Sequence, residues 1–244
     1  MILAFALAAP AALAAPDVAP LQQVLDQHLK GGRVEYAAIA ATDPLDGYLA
    51  SLSQSPEPTD RGERMAFWIN AYNALTIDLV ADSWPLASIR DLDGGDPWGK
   101  RTFTVAGKAV TLNDIEHKIL RPMGDPRIHA AVNCASIGCP PLYPKAFTGP
   151  GLDAQLAGAS KAWASGNGAR IDQAGGSVGL SKIFDWYGDD FLARVDADVP
   201  GLDGKQQAAI DFLADHLDGA DATWLRAGGY TVSWVDYDWR VNAK

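Results

Sequence analysis

The segment Arg61-Gly-Glu-Arg-Met-Ala-Phe-Trp-Ile-Asn-Ala-Tyr-Asn-Ala-Leu-Thr-Ile-Asp-Leu-Val-Ala-Asp82 decides how the rest of the chain can fold. Met65, Trp68, Ile69, Tyr72, Leu75, Thr76 and Leu79 recur at helical spacing. Ala66, Phe67, Ala71, Ala74, Ile77 and Val80 fill most of the remaining face. A helix apolar nearly all round is a buried one, so this spacing predicts a central helix wrapped by other elements. It carries two amides, Asn70 and Asn73, on one side. Buried amides need hydrogen bonds, or each costs about 1–3 kcal/mol. They either tie down neighbouring backbone, or one of them faces a site and orients a catalytic group.

Upstream, Leu21 to Leu29 reads as a helix ended by Gly31-Gly32, and Val34-Glu35-Tyr36 begins an extended piece. Pro44 to Leu52 reads as a second short helix with proline in its first turn. Pro56 and Pro58 mark Ser53 to Asp60 as a surface connection. Downstream, Asp91 to Trp98 is acidic and glycine-bearing but lacks the calcium-loop spacing and its terminal Glu, which predicts a solvated loop. Thr102 to Leu112 reads as a hairpin turning at Ala106-Gly107. Asn113 is placed to cap a helix over Asp114–Arg121, stopped by Pro122, which gathers Glu116, His117 and Arg121. Leu152 to Ser165 and Gln206 to Leu217 read as helices, and Arg170 to Leu180 as a hairpin about Gly175-Gly176. Ile183 to Phe191 reads as an aromatic-rich helix or turn, and Tyr230 to Val235 as a strand. These elements predict an α+β fold, mainly helical, with a small antiparallel sheet and hairpins around the buried helix.

Chemistry concentrates in Arg127-Ile-His-Ala-Ala-Val-Asn-Cys-Ala-Ser-Ile-Gly-Cys-Pro-Pro-Leu142. Ile128 to Asn133 reads as a short buried strand delivering Cys134 into a tight loop that ends in Pro140-Pro141. Both cysteines, Cys134 and Cys139, lie in that loop, and His117 and His129 lie just before it. A thiolate at Cys134 would need a lowered pKa from an imidazolium or a helix N-terminus. The imidazole in turn needs a carboxylate or amide to fix its tautomer. On a regular strand, His129 would stand about 16 Å from Cys134 and on the opposite face. His117 is therefore slightly favoured as base, with Glu116 or Asn70 as orienter. Glu116 points about 100° away from His117 on its own helix and would more easily serve His129. The same two cysteines could instead close a disulfide, or sit as inert buried thiols. Zinc could use Cys134, Cys139, His117 and His129, but their spacing matches no common finger, so no metal and no cofactor is expected.

The formal net charge is −10 and no Lys/Arg run occurs, which argues against nucleic acid or anionic membrane as partner. Residues 1–14 are apolar and uncharged and close with Ala12-Leu13-Ala14, a small-x-small cleavage pattern. They read as a secretory signal too short to span a bilayer. What remains, residues 15–244, suits a single domain, exported to the periplasm or secreted, with no membrane insertion after signal removal.

Phe67-Trp-Ile-Asn-Ala-Tyr-Asn73, Leu112-Asn-Asp-Ile-Glu-His-Lys-Ile-Leu-Arg121, His129-Ala-Ala-Val-Asn-Cys-Ala-Ser-Ile-Gly-Cys-Pro-Pro-Leu142 and Tyr237-Asp-Trp239 resemble, in this order, the DUF547 family. The resemblance covers the chain from about residue 60 to its end. The family's name records that its activity was unknown. It is similar to papain-like thiol hydrolases, which implies a papain-like core with a cysteine nucleophile and a histidine upstream, the order seen here.

Three functional classes stay open. One is a cysteine-dependent hydrolase or acyltransferase acting on an amide, thioester or peptide bond of a small molecule or peptide, with Cys134 attacking. A second is an exported thiol–disulfide protein cycling Cys134 and Cys139. A third is a non-catalytic binding module in which Trp98, Trp186, Tyr187 and Trp239 line a cleft.

Overall fold

The computed structural model describes residues 16–192, 199 and 201–244, so the leader read in residues 1–14 lies outside the described residues. In chain order the first elements are α1 (Ala19–His28), the two-stranded β1 (Leu29–Lys30) and β2 (Arg33–Val34), α2 (Tyr36–Ala40) and α3 (Asp46–Gln54). The long helix α4 then spans Arg61–Asp82, the bounds its spacing predicts. Asp60 starts it, its carboxylate accepting from the Gly62 and Glu63 N–H groups, which otherwise lack partners at a helix start. From Met65 to Ala81 every residue except Asp78 is buried. α2, α3, a π-helix and α7 (Leu152–Ala164) each pack against this helix.

Next comes α5 (Pro97–Lys100), then the hairpin of β3 (Phe103–Val105) and β4 (Lys108–Val110), paired Val105 to Lys108. Its two turn residues, Ala106 and Gly107, have φ of 51° and 69°. Their N–H groups bond to the Leu52 and Ser53 carbonyls. The α3 terminus thus holds Ala106 in a backbone region that usually favours glycine.

The second half is a mixed layer. β5 (Ala169–Asp172) and β6 (Ser177–Leu180) form an antiparallel hairpin, and β7 (Thr231–Trp234) joins β6 in parallel. The helices α8 (Lys182–Trp186), α9 (Gly188–Phe191), α10 (Gly204–His216) and α11 (Gly219–Ala227) pack with α7 around aromatic rings. Trp163 stacks on Phe184 with centroids 4.5 Å apart, and Phe191 meets Phe212 at 5.2 Å. Buried apolar side chains from Leu21 to Leu225 form one contiguous cluster. The fold is α+β and mainly helical.

Three local readings are corrected. The run Ile128–Asn133 is not a strand: Ile128–Ala131 is a short helix, α6, and the chain extends only at Val132. Asp125 and Pro126 carbonyls accept from the Ile128 and His129 N–H groups and wind the segment, and a short apolar run does not by itself distinguish strand from buried helix. Asn113 does not cap the next helix. Thr111 does, its Oγ1 accepting the Asp114 N–H while Asp114 accepts the Thr111 N–H. That helix, Asp114–Leu120, is a π-helix, and Pro122 does not stop it: a 3-10 turn carries on to Met123 and ends at Gly124, φ 71°.

Candidate functional site

The cysteine loop is held by amides from distant parts of the chain. Asn73 of α4 donates to the Ala131 carbonyl and accepts the Asn133 N–H, both at 2.9 Å. Asn133 accepts the Ala135 N–H and donates to the Pro140 carbonyl, which folds the loop back on itself. Asn242 donates to Asn133 Oδ1 at 3.0 Å and accepts the Tyr36 hydroxyl at 2.7 Å. The C-terminal segment runs along the loop through backbone bonds from Ile137 to Arg240, Gly138 to Asp238 and Asn242 to Ala135. The Tyr36, Asn73, Asn133 and Asn242 side chains are buried, and buried polar groups in a low-dielectric interior fix geometry when fully satisfied.

Cys134 and Cys139 are joined by a disulfide. The C-terminal segment sets the Tyr237 hydroxyl 3.1 Å from each sulfur. The Cys134 N–H also donates to Cys139 Sγ at 3.0 Å. Gly138 is required for this approach, because a Cβ there would lie 2.8 Å from the Tyr237 ring. The two cysteines differ in access. Cys139 is 3 % exposed, whereas Cys134 is part-exposed and lines a cavity of about 160 Å³.

Aromatic rings make most of that cavity: Tyr72, Trp98, Trp186, Tyr187, Tyr237 and Trp239, joined by Ile183, Asn113 and Glu116. The four aromatics expected to line a cleft do so together. Glu116, on the π-helix, is 7 % exposed and faces Tyr72 Oη at 3.4 Å; Tyr187 also hydrogen-bonds it. Burial, then the Glu116 charge, pushes the Tyr72 and Tyr187 phenols well above their ordinary range. Tyr237 is pushed up chiefly by burial. These hydroxyls therefore stay protonated and act as donors.

Neither histidine lines the cavity, and the polar partner of Cys134 Sγ is a phenol, not an imidazole. His129, 3 % exposed on α6, places Nε2 2.7 Å from Asp190 Oδ2. Asp190 also takes a bidentate pair from Arg121 at 2.6 and 2.9 Å. Burial opposes ionisation of Asp190, but the His129 and Arg121 hydrogen bonds outweigh it and hold the carboxyl far below the usual range. His117 is exposed and accepts from Arg121 through Nδ1 at 3.1 Å. Both imidazoles pack on Tyr187, at centroid distances of 4.4 Å for His129 and 6.0 Å for His117. Neither Glu116 nor Asn70 is hydrogen-bonded to either imidazole; His129 is oriented by Asp190. Asn70 pairs with the Phe147 N–H and carbonyl, both at 2.8 Å, and lines a separate cavity with Glu63 and Phe67. Both amides of α4 thus tie down backbone.

The site residues that sequence reasoning missed are Tyr237, Asp190 and Tyr72. Tyr237 was visible only as part of a motif, with nothing to connect it to sulfur. Among the described residues, no group of three or more His, Cys, Asp or Glu side chains is arranged to hold a metal.

Residues 56–163 match the family model described as "Protein of unknown function, DUF547". The chain carries a DUF547 domain. The matched stretch holds α4, the π-helix and the cysteine loop of the DUF547 domain, while Tyr187, Asp190, Tyr237 and Trp239 lie outside it. No curated protein and no solved structure matches the chain.

Proposed function

We propose that Cys134 and Cys139 form a redox-active disulfide, and that this protein exchanges disulfides with a small-molecule or peptide thiol at the aromatic cavity. The observation that carries this reading is an asymmetry between the sulfurs. Cys134 lines the cavity, while buried Cys139 Sγ receives the Cys134 N–H at 3.0 Å; the Tyr237 hydroxyl lies 3.1 Å from both sulfurs and is within reach of whichever one leaves. Exchange accelerates when the leaving sulfur is stabilised as thiolate; the Cys134 N–H points at the sulfur that leaves when Cys134 is attacked, and the Tyr237 hydroxyl can donate to it as well.

The electrons balance as follows. A substrate thiolate attacks Cys134 Sγ, the Cys134–Cys139 bond breaks, and Cys139 leaves as a thiolate held by the two donors until it takes a proton. The product is a mixed disulfide between substrate and Cys134. A second thiolate of the same substrate attacks its own sulfur in that bond and releases Cys134. The substrate dithiol is oxidised by two electrons and the protein pair is reduced. Such a role suits an oxidising compartment, in keeping with an exported, periplasmic or secreted protein.

An acyl-transfer reading has one supporting observation: Glu116 shares the cavity with Cys134. Reduction would free the thiol, and the carboxylate would then serve as its base in hydrolysis of an amide, thioester or peptide bond. Oxidation of a small dithiol by the purified protein separates the readings. Exchange requires that Cys134→Ser and Cys139→Ser each abolish it. Undiminished oxidation by either variant overturns exchange, and thioester hydrolysis by reduced Cys139→Ser that is lost in Cys134→Ser supports acyl transfer instead.

A further inference from the structure

We infer that the cavity beside Cys134 binds a positively charged amine, so that the thiol or disulfide reaching Cys134 carries an ammonium group. This rests on the exchange reading for the sulfur chemistry, but the amine site stands on its own geometry.

The cavity wall is an aromatic cage. Tyr237 and Trp239 lie 4.5 Å apart between ring centroids, Trp186 lies 4.9 Å from Tyr237 and 5.8 Å from Trp239, and Trp98, also in the lining, lies 6.0 Å from Trp239. Ring faces attract cations, tryptophan most strongly, and an aromatic cage is the usual receptor for ammonium groups. Arg90 already makes this contact, its guanidinium 4.9 Å from the Trp239 ring.

The second element is Glu116. Its buried carboxylate is met by phenols, Tyr72 at 3.4 Å and Tyr187. The nearby cation, Arg121, is engaged by Asp190 through both of its paired nitrogens. A carboxylate hydrogen-bonded by neutral phenols in a partly enclosed space, with Arg121 near it but bonded to Asp190, favours a further opposite charge arriving from solvent. The formal net charge of −10 draws a cation towards the molecule in the same sense. An anionic substrate would face the like charge of Glu116, whereas an ammonium would add to the attraction that Glu116 already exerts on Arg121.

The test compares three disulfides of similar length as oxidants of the reduced protein: cystamine, bis(2-hydroxyethyl) disulfide and dithiodipropionate. Each rate is divided by that of the same reagent with glutathione, which removes intrinsic reactivity. The expected result is a preference of about tenfold for cystamine over the neutral reagent, with dithiodipropionate slowest, and collapse of that preference in Glu116→Gln. Separately, tetramethylammonium should perturb tryptophan fluorescence in the oxidised protein and in Cys134→Ser, and less so in Trp186→Ala, whose parent side chain is 46 % exposed and safe to truncate. Equal normalised rates for the three reagents, together with no fluorescence response to tetramethylammonium, would overturn the amine site. Tetramethylammonium binding without any exchange would leave the amine site standing and remove the exchange reading alone.

Discussion

Tyr237 places its hydroxyl 3.1 Å from Cys139 Sγ, across 98 residues of sequence. The contact ties the C-terminal segment to the one chemically distinctive bond in the chain. Tyr237→Phe keeps the ring that packs on Trp186 and Trp239 and removes only the donor. Attack on Cys134 should slow by about tenfold to a hundredfold, the weight of one hydrogen bond to a developing thiolate. Stopped-flow reduction by dithiothreitol measures this directly, and an unchanged rate would remove Tyr237 from the chemistry.

The Asp190 carboxylate joins three elements, since His129 lies on α6, Arg121 follows the π-helix and Asp190 sits on α9. Its folded-state pKa is depressed, so it contributes stability above the unfolded value near 4 that is lost as pH falls through the folded one. Asp190→Asn should therefore lower the melting temperature at pH 7 and narrow the gap to wild type in strongly acidic buffer. Melting curves across pH 2–7 check it; a constant difference would contradict the assigned ion pairs.

Asp78 behaves in the opposite sense. It is the one residue from Met65 to Ala81 of α4 that is not buried. It is nevertheless half-buried, and that partial desolvation first, then Asp82, Asp46 and Asp43, raise its pKa to about 7. A raised carboxyl favours the folded state when protonated, so its ionisation erodes stability as pH climbs from about 4 to 7. Asp78→Asn should stabilise the protein at pH 8, by about 1 kcal/mol after solvent screening, and have little effect at pH 4. Thermal unfolding at the two pH values decides this.

Asn73→Ala leaves the Ala131 carbonyl and the Asn133 N–H without partners in a buried place. The expected cost is about 2–4 kcal/mol in urea unfolding, accompanied by faster disulfide reduction as the loop loosens. Asn70→Ala should cost a similar amount, through Phe147, without changing reduction kinetics. Equal effects of both variants on reduction would break the distinction drawn between the two amides.

Sequence legibility followed the range of the interactions. The helix α4 could be read because its burial is written in consecutive residues, and the hairpin at Ala106-Gly107 because its turn chemistry is local. The segment at Ile128 reads as a strand but is a helix, because two carbonyls just upstream, not its own composition, wind it. Asn113 resembles a cap because it directly precedes the helix, but the reciprocal pair of Thr111 and Asp114 sits around it. Glu116 and Cys134 do share a cavity, and the expected aromatics line it. The pairing of Cys134 with Tyr237 and of His129 with Asp190 spans 103 and 61 residues, a separation at which no local pattern carries information.

The most direct measurement is the intact mass of Cys139→Ser incubated with glutathione disulfide, followed by peptide mapping. Exchange at the cavity predicts a stable adduct of one glutathione on Cys134, removed by dithiothreitol, while Cys134→Ser with its buried Cys139 stays unmodified. Modification of Cys139 in Cys134→Ser, with Cys134 inert in the partner variant, would contradict the assignment of Cys134 as the sulfur that meets substrate.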